Sequence, residues 1–446
     1  MDASRILRRA EERADAAIVY ELETERTEVE AVNGELRRAD PERHRGVALR
    51  ILRDGAWRVA HSTKPNEEDL LKSAVRAPGR GTADIPDEPP QATGKHDWTG
   101  RVHPLDALDE VAELARELSK ETPHDCEIRC VASSSKYRVL TSWGTEAELH
   151  LYRVSYSVRV SDRGENGREE YYERDGATAA GPERFLERCE RLLDRASRRL
   201  RDLLEAEPGP DRAERVVIDP ELLGVLVHEA FGHATEGDLV ARGESILRGK
   251  IGERVASECV TVVDDPTEPG PFGSYPFDDE GIEGRCTVLV REGVLESYLT
   301  DLTSAAELDA PPTGNGRIEA LGDHVQTRMS VTYVEPGDAD REELFEEAGD
   351  GAVYLLGSKG GQTDTATGHF QFSAKLGYVL EDGEPARPVR DVGLTGHTLE
   401  LLRGVELLSK DLRLHAGYCG KGGQLVPVSD GGPHALVEGP FNLRSG

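Results

Sequence analysis

Asp219-Pro-Glu-Leu-Leu-Gly-Val-Leu-Val-His-Glu-Ala-Phe-Gly-His233 is the stretch on which the reading of this chain turns. Asp219 suits a helix N-cap and Pro220 the first helical position, and Glu221 favours the positive end of the helix dipole. Leu222, Leu223, Val225, Leu226 and Val227 form a nearly continuous apolar run, which predicts a buried helix. Burying His228, Glu229 and His233 on it without partners would be costly. A metal ion would supply the partner; the alternative is a hydrogen-bonded core histidine beside a helix-surface Glu. Imidazole nitrogens are zinc ligands, and a carboxylate beside them can take a proton from the attacking water.

The spacing adds a demand. Metallopeptidases of the His-Glu-x-x-His pattern set their histidines four apart on one helical face. Here they are five apart. On a regular α-helix that step turns the second ring about 140° from the first, and both could not reach one ion. The sequence therefore predicts a strained turn over residues 230–233, held by a bound metal. It is either a π-type widening or an unwinding at Gly232, and glycine tolerates both.

A catalytic zinc usually has three protein ligands. Cys419 offers a third from within His-Ala-Gly-Tyr-Cys-Gly-Lys-Gly-Gly-Gln, where Gly417, Gly420, Gly422 and Gly423 let the backbone approach a crowded site. The residues alone leave His369, His397, His415 and Glu236 as rivals. Cys126, Cys130, Cys189, Cys259 and Cys286 read as small core residues. Cys126 and Cys130 lack the second pair that a zinc knuckle needs.

Val-His-Glu-Ala-Phe-Gly-His-Ala-Thr-Glu-Gly-Asp, ending at Asp238, resembles the signature of the TldD/PmbA family of metallopeptidases. Phe-Asp-Asp-Glu-Gly at 277–281, Pro-Thr-Gly-Asn-Gly-Arg at 312–317 and Arg-Met-Ser-Val-Thr-Tyr-Val-Glu-Pro-Gly at 328–337 agree in the same order. So do Gly-Gly-Gln-Thr-Asp-Thr-Ala-Thr-Gly-His-Phe at 360–370 and Cys-Gly-Lys-Gly-Gly-Gln at 419–424. The likeness covers essentially the whole chain and is strongest in its second half. It implies zinc held by His228, His233 and Cys419, with Glu229 as the catalytic carboxylate. Partner-type subunits of the family lack the His-Glu motif, so the chain resembles the catalytic TldD type.

The resemblance further implies cleavage of unfolded or short peptides, in maturation or degradation. It implies a dimer, either of identical chains or with a related subunit lacking the metal motif. The turns at 313–317 and 360–365 are ordinary turn chemistry by themselves. The resemblance gives them a substrate-facing role, with Asn315, Arg317, Thr365 and His369 as the binding candidates. The alternative reading is a non-catalytic regulatory or binding subunit that retains the fold. A third is a metal-dependent hydrolase of another amide bond.

The helices and antiparallel strands are segregated, which predicts an α+β fold of two domains. Residues 1–206 read as an N-terminal α+β domain. It has helices at 3–16, 67–77, 105–121 and 182–205, and strands at 17–22, 47–52 and 57–62. A Pro- and Gly-rich surface loop is expected at 78–104, and a meander at 126–141, 146–162 and 168–175. Glu-Pro-Gly-Pro-Asp at 207–211 marks the boundary. Residues 213–446 read as the metallopeptidase domain, mainly antiparallel β around the buried metal helix. It opens with a strand at 215–218. Hairpins follow at 286–299 and 370–392, and a helix at 396–408.

Composition narrows the partners. With 446 residues the chain can bury a core in each domain. It has no apolar run of about 18 residues and no apolar signal core at its start, which fits a cytoplasmic protein with no membrane span. Six cysteines are too few for a disulfide framework. A formal charge of −30 argues against unaided binding to nucleic acid or anionic lipid. Arginine outnumbers lysine 45 to 10, and Asn and Gln number only 5 each. Scarce thermolabile residues point to a hot habitat and the acidic excess to a salty one, although a GC-rich genome would favour arginine equally. Thermal melting at low and high salt checks this: the melting point should lie above the mesophilic range and rise with salt. A mesophilic value without salt dependence removes both habitats.

Overall fold

The computed structural model describes residues 2–38, 41–64, 66–79, 85–86, 89–104, 106–165 and 167–444. Its first half is built on long strands. Glu42–Arg53, Ala16–Val32, Asp125–Thr141 and Glu146–Gly164 lie side by side and antiparallel, with Ala56–Ser62 on the outer edge of the first. The far edge of Glu146–Gly164 is shared by Gly167–Thr178, antiparallel, and Thr93–Trp98, parallel. The meander is as expected. Ala16–Val32 runs ten residues beyond the expected end at residue 22. Its extension is rich in Glu, Arg and Thr, and unbroken pairing with Asp125–Thr141, from Ile18↔Thr141 to Val32↔Glu127, keeps it a strand.

One correction concerns residues 78–104, which are not simply a loop, because Thr93–Trp98 pairs with Glu146–Gly164 along Thr93↔Glu146 to Trp98↔Leu151. Residues 80–84 and 87–88 of that expected loop, and Leu105 of the expected helix 105–121, lie outside the described residues. The first helix stops at Glu11, short of 16. Helices Ala3–Glu11 and Glu67–Arg76 cover one end of the sheet through Ile6, Leu70 and Leu71. The helix Glu183–Glu205 buries Phe185, Cys189, Leu192, Ala196, Leu200 and Leu203. That i, i+3, i+4 stripe packs against both the first sheet and Tyr354, Leu356, Leu376 and Tyr378 of the second half.

In the second half five strands close on themselves. Arg212–Ile218 pairs with Val353–Asp364, which pairs with His369–Glu381, then Val392–His397, then Ala435–Arg444, which returns to Arg212–Ile218. A second sheet runs Val294–Leu295, Thr287–Arg291, Val262–Asp264, Val331–Val334, Gln424–Gly432, Arg413–Lys421. Both expected hairpins are present. Their turns place Glu292–Gly293 and Asp382–Gly383 at positive φ, as two-residue hairpin turns require. Residues 396–408 are helical only over Thr398–Arg403, and Val405–Leu408 is a strand on Ala435–Arg444. The architecture is α+β with mostly antiparallel sheets. Among the described residues no helix is long and apolar enough to cross a membrane. Cys259 and Cys286 are exposed rather than core residues, because both precede their strands on irregular backbone.

The helix that begins at Pro220 is wedged between these sheets. Leu222, Leu223, Leu226, Val227 and Phe231 are buried in the largest core cluster. Its approach to Gln424–Gly432 is backbone to backbone: a Cβ on Gly224 would meet Gly431 N at 2.5 Å and Cα at 2.6 Å. Gly224→Ala should therefore destabilise the fold by about 1–3 kcal/mol, despite the better helix propensity of alanine. Chemical denaturation checks it. An unchanged or raised midpoint would mean the two backbones are not in contact.

Candidate metal centre

The site starts from the helix cap. The Asp219 carboxylate accepts from Leu222 N at 2.8 Å and from Gly357 N at 2.9 Å, which pins the helix start to a neighbouring strand. From Val227 to Gly232 the helix widens into a π turn, and the His233 N–H donates to the His228 carbonyl five residues back. The widening therefore spans the whole interval between the histidines, beginning earlier than expected. Gly232 does not unwind; its φ and ψ are −57° and −49°. Its use is space: a Cβ there would lie 2.1 Å from the Met329 sulfur.

The π turn brings the two imidazoles together edge to face, centroids 5.2 Å apart at 89°. Cys419 arrives on the strand Arg413–Lys421, and its Sγ lies 3.4 Å from His233 Nε2. Gly422 and Gly423, at φ 58° and 83°, make the tight turn that returns this strand onto Gln424–Gly432. Arg328 is fully buried and donates to the carbonyls of Cys419 and Gln424. One ligand atom from each of His228, His233 and Cys419 falls within 4.8 Å of the others.

A carboxylate stands behind His233. Glu236 is completely buried, and its Oε2 accepts from His233 Nδ1 at 2.8 Å and from Lys421 Nζ at 2.9 Å. Lys421 also donates to Asp238 at 2.7 Å and to the Thr327 carbonyl at 3.0 Å. Burial alone would raise the Glu236 carboxyl, but His233 and Lys421 hold it at about 2. A charged Glu236 fixes the proton of His233 on Nδ1 and turns Nε2 towards the thiol. Burial likewise opposes the thiolate, yet His228 and His233 pull Cys419 down to about 5. Burial would lower His228, and the Cys419 charge lifts it to about 9.

The donor set fits a borderline-soft divalent metal: two imidazoles and a thiolate, with His228 Nδ1 buried and unpartnered among the described residues. Glu229 is 40% exposed, and its Oε2 lies 3.6 Å from His233 Nε2. Of the rival ligands, Glu236 is a partner of His233. His415 sits beside Glu221 and Lys375, where burial depresses it to about 4. His369 and His397 pair with each other, centroids 5.6 Å apart.

The turns are differently employed. Asn315 is buried and donates to Asp264 at 2.8 Å and to the Arg328 carbonyl at 3.0 Å, while accepting from Thr313. Arg317 donates to the carbonyls of Met329 at 2.8 Å and Pro427 at 2.7 Å. Both thus brace the segment that supports Cys419 and Gly232, and Arg317 also lines a cavity of about 770 Å³. Thr365 and His369 lie at the end of the hairpin Val353–Asp364/His369–Glu381, where the Thr365 hydroxyl donates to the Glu244 carbonyl at 2.9 Å. The structure therefore gathers His228, Glu229, His233 and Cys419 and leaves these four outside that cluster. Sequence reasoning missed Lys421 and Arg328. The spacing of Glu236 three residues after His233 was the available signal for the carboxylate.

Residues 211–440 match the family model described as the PmbA/TldA metallopeptidase C-terminal domain, and residues 17–78 match that of PmbA/TldA metallopeptidase domain 1. A protein of Methanothermobacter thermautotrophicus named a metalloprotease is 38% identical over 97% of this chain and 96% of its own. A zinc metalloprotease TldD homologue of Saccharolobus solfataricus is 40% identical over 50% of each chain. In fold, TldE from Thermococcus kodakarensis superposes with a TM-score of 0.79 at 18% identity, covering 99% of both chains. The chain belongs to the PmbA/TldD family and is a metallopeptidase.

The ionised cluster has a pH signature in the metal-free chain. The Cys419 thiol is depressed from 9.0 to about 5, so its stabilising share is complete above pH 9.0 and shrinks as pH falls through about 5. The His228 imidazole is raised from 6.5 to about 9, so its share is complete below pH 6.5 and is lost as pH rises through about 9. Thiolate ultraviolet absorbance, taken as the difference between the parent and Cys419→Ser, should persist down to about pH 5. A titration centred on the ordinary thiol value would show that the imidazoles do not face the sulfur.

Proposed function

We propose that this metallopeptidase is a zinc-dependent hydrolase of unfolded or short peptides, with His228, His233 and Cys419 as ligands and Glu229 as general base. The observation that carries the reading is the convergence of three donor atoms within 4.8 Å beside a half-exposed carboxylate. Zinc in such a set supplies Lewis acidity towards the scissile carbonyl and the attacking water. Glu229 takes the proton of that water and hands it to the leaving amine. Its exposure lets substrate reach it, and its closeness to His233 keeps the proton transfer at the site of attack. Glu236 and Lys421 hold His233 in the tautomer whose Nε2 faces the thiolate. Arg328 fixes the Cys419 backbone, and the thiolate tempers the acidity of the ion.

In this reading residues 213–446 are the catalytic domain, and residues 1–206 wall the approach to it. Arg317 faces the substrate space, Asn315 supports it, and Thr365 and His369 flank it on the hairpin tip. The working form is a dimer, either of two copies or with a related subunit that lacks the metal motif. The likeness in fold to TldE supports the second arrangement. The setting is cytoplasmic, without nucleic acid or membrane as partners, consistent with the charge of −30.

Elemental analysis should find close to one zinc per chain, lost in Cys419→Ala. Glu229→Gln should keep the zinc while kcat/KM on an unfolded peptide falls by about 10²–10⁴. A Glu229→Gln variant as active as the parent would remove the peptidase reading of this site. A zinc-bound parent that cleaves no peptide would favour the regulatory subunit. Glu236→Gln should weaken zinc about 10–100-fold, measured by chelator competition. Unaltered affinity would deny Glu236 its orienting role.

A further inference from the structure

Behind the Cys419 strand lies the cavity of about 770 Å³ that Arg317 helps to line. Neighbouring residues of a strand point to opposite faces. Cys419 belongs to the metal side, and Tyr418 and Ala416 face the cavity. The opposite wall is the inner face of the first sheet. Six of the chain's 12 tyrosines line the space: Tyr20, Tyr137, Tyr156, Tyr172, Tyr275 and Tyr418. Tyr418 and Leu425 are 53% and 54% exposed and mark the mouth.

The charges in this cavity are unevenly satisfied. Its carboxylates are occupied. Asp175 is held by Arg188 and Tyr156, Asp278 by the N–H groups of Glu280, Ile282 and Gly316, Asp279 by Ile318 N, and Glu319 by Leu425 N. Its arginines are not all so placed. Arg129 pairs with Glu28, but among the described residues no ion pair holds Arg153, Arg174 or Arg317. Among the described residues Arg153 donates only to the carbonyls of Phe272 at 3.0 Å and Ser274 at 3.5 Å, and Arg317 only to carbonyls. Arg174 has its Nε buried without a partner. One of its terminal nitrogens lies 3.6 Å from where a Cβ on Gly417 would stand, on the Cys419 face of the strand, and an Asp430 carboxylate oxygen lies 3.7 Å from the same point. Asp430 and Asp279 face these arginines without pairing with them directly. Guanidinium groups with donors left over in a space walled by aromatic rings favour an anion with an apolar neighbour.

We infer that the cavity is a subsite for a carboxylate of the peptide substrate, gripped by Arg174 with Arg153 and Arg317 and flanked by the tyrosines. It would set a preference for peptides carrying negative charge on one side of the cut. The inference rests on the peptidase reading, so binding and cleavage are measured apart. Fluorescence anisotropy on the full-length Glu229→Gln protein would compare one labelled peptide in four forms: free or amidated C-terminus, each with internal Glu or Gln.

The fully neutral form should bind about tenfold or more weakly than the acidic ones. The two singly charged forms tell whether the terminus or a side chain is the group held. Arg174→Gln should erase the preference, and Arg174→Lys should restore part of it. Equal binding of all four forms would overturn the inference, as would a preference that survives Arg174→Gln in a protein with parental melting behaviour. Cleavage by the parent without charge preference would overturn the subsite alone. Absence of cleavage alongside charge-selective binding would overturn the peptidase reading and leave the subsite standing.

Discussion

A thiolate and two imidazoles held together away from water constrain everything else in this molecule. Each is costly to bury charged, and each is stabilised by the others. Cys419 comes down to about 5 because His228 and His233 face it, and His228 goes up to about 9 because Cys419 and Glu229 face it. The geometry that permits this is a π turn. A regular helix would have swung His233 away, so the fold gives up regular helical geometry over Val227–Gly232 to keep both rings on one side. The disturbance is stabilised locally by an Asp219 cap, an apolar helix flank and a glycine into whose space Met329 fits.

The family motifs downstream of the helix make physical sense as a brace for this cluster. Arg328 holds the backbone of Cys419, and the next residue, Met329, fills the space beside Gly232. Asn315 holds the Arg328 carbonyl and Arg317 the Met329 carbonyl. Asp264 ties the same segment further by accepting from Ser330 and Thr332. Two candidate ligands 186 residues apart in sequence, His233 and Cys419, are thus referred to a single short segment. Asn315 and Arg317, which a glycine-rich turn alone would suggest for substrate contact, also brace the segment beside Cys419 and Gly232.

Much of this was legible from the residues. Asp219, Pro220 and the apolar run identified the buried helix, and the count of five between histidines required either a widened turn or an unwinding at Gly232, of which the fold uses the first. The meander of the first half showed in its alternation. What escaped notice did so for physical reasons. The strand extension to Val32 is polar because its stability comes from pairing with Asp125–Thr141, which no local pattern reports. Thr93–Trp98 lies at a sheet edge, amid prolines and glycines, and pairs parallel with a strand some 50 residues later. Cys259 and Cys286 looked like core residues because the apolar runs beside them are buried while the cysteines themselves precede those runs. The role of Lys421 depended on a contact with Glu236 that only the folded chain creates.

The strand Arg413–Lys421 joins the two chemistries. One face presents Cys419 to the imidazoles, and the other presents Tyr418 to the arginine-lined cavity. Its hairpin partner carries Gly431, against which Gly224 of the metal helix rests backbone to backbone. Burial raises the carboxyl of Asp430, the preceding residue, to about 6 against the pull of His228 and Arg174. A displacement of this hairpin would therefore alter the sulfur position, the helix contact and the setting of Arg174 together. Cores at close-packed density do not deform gradually. The position of the Cys419 thiol and the cavity shape are then properties of one rigid element, and substitutions at either face of the hairpin should be read for their effect on the other.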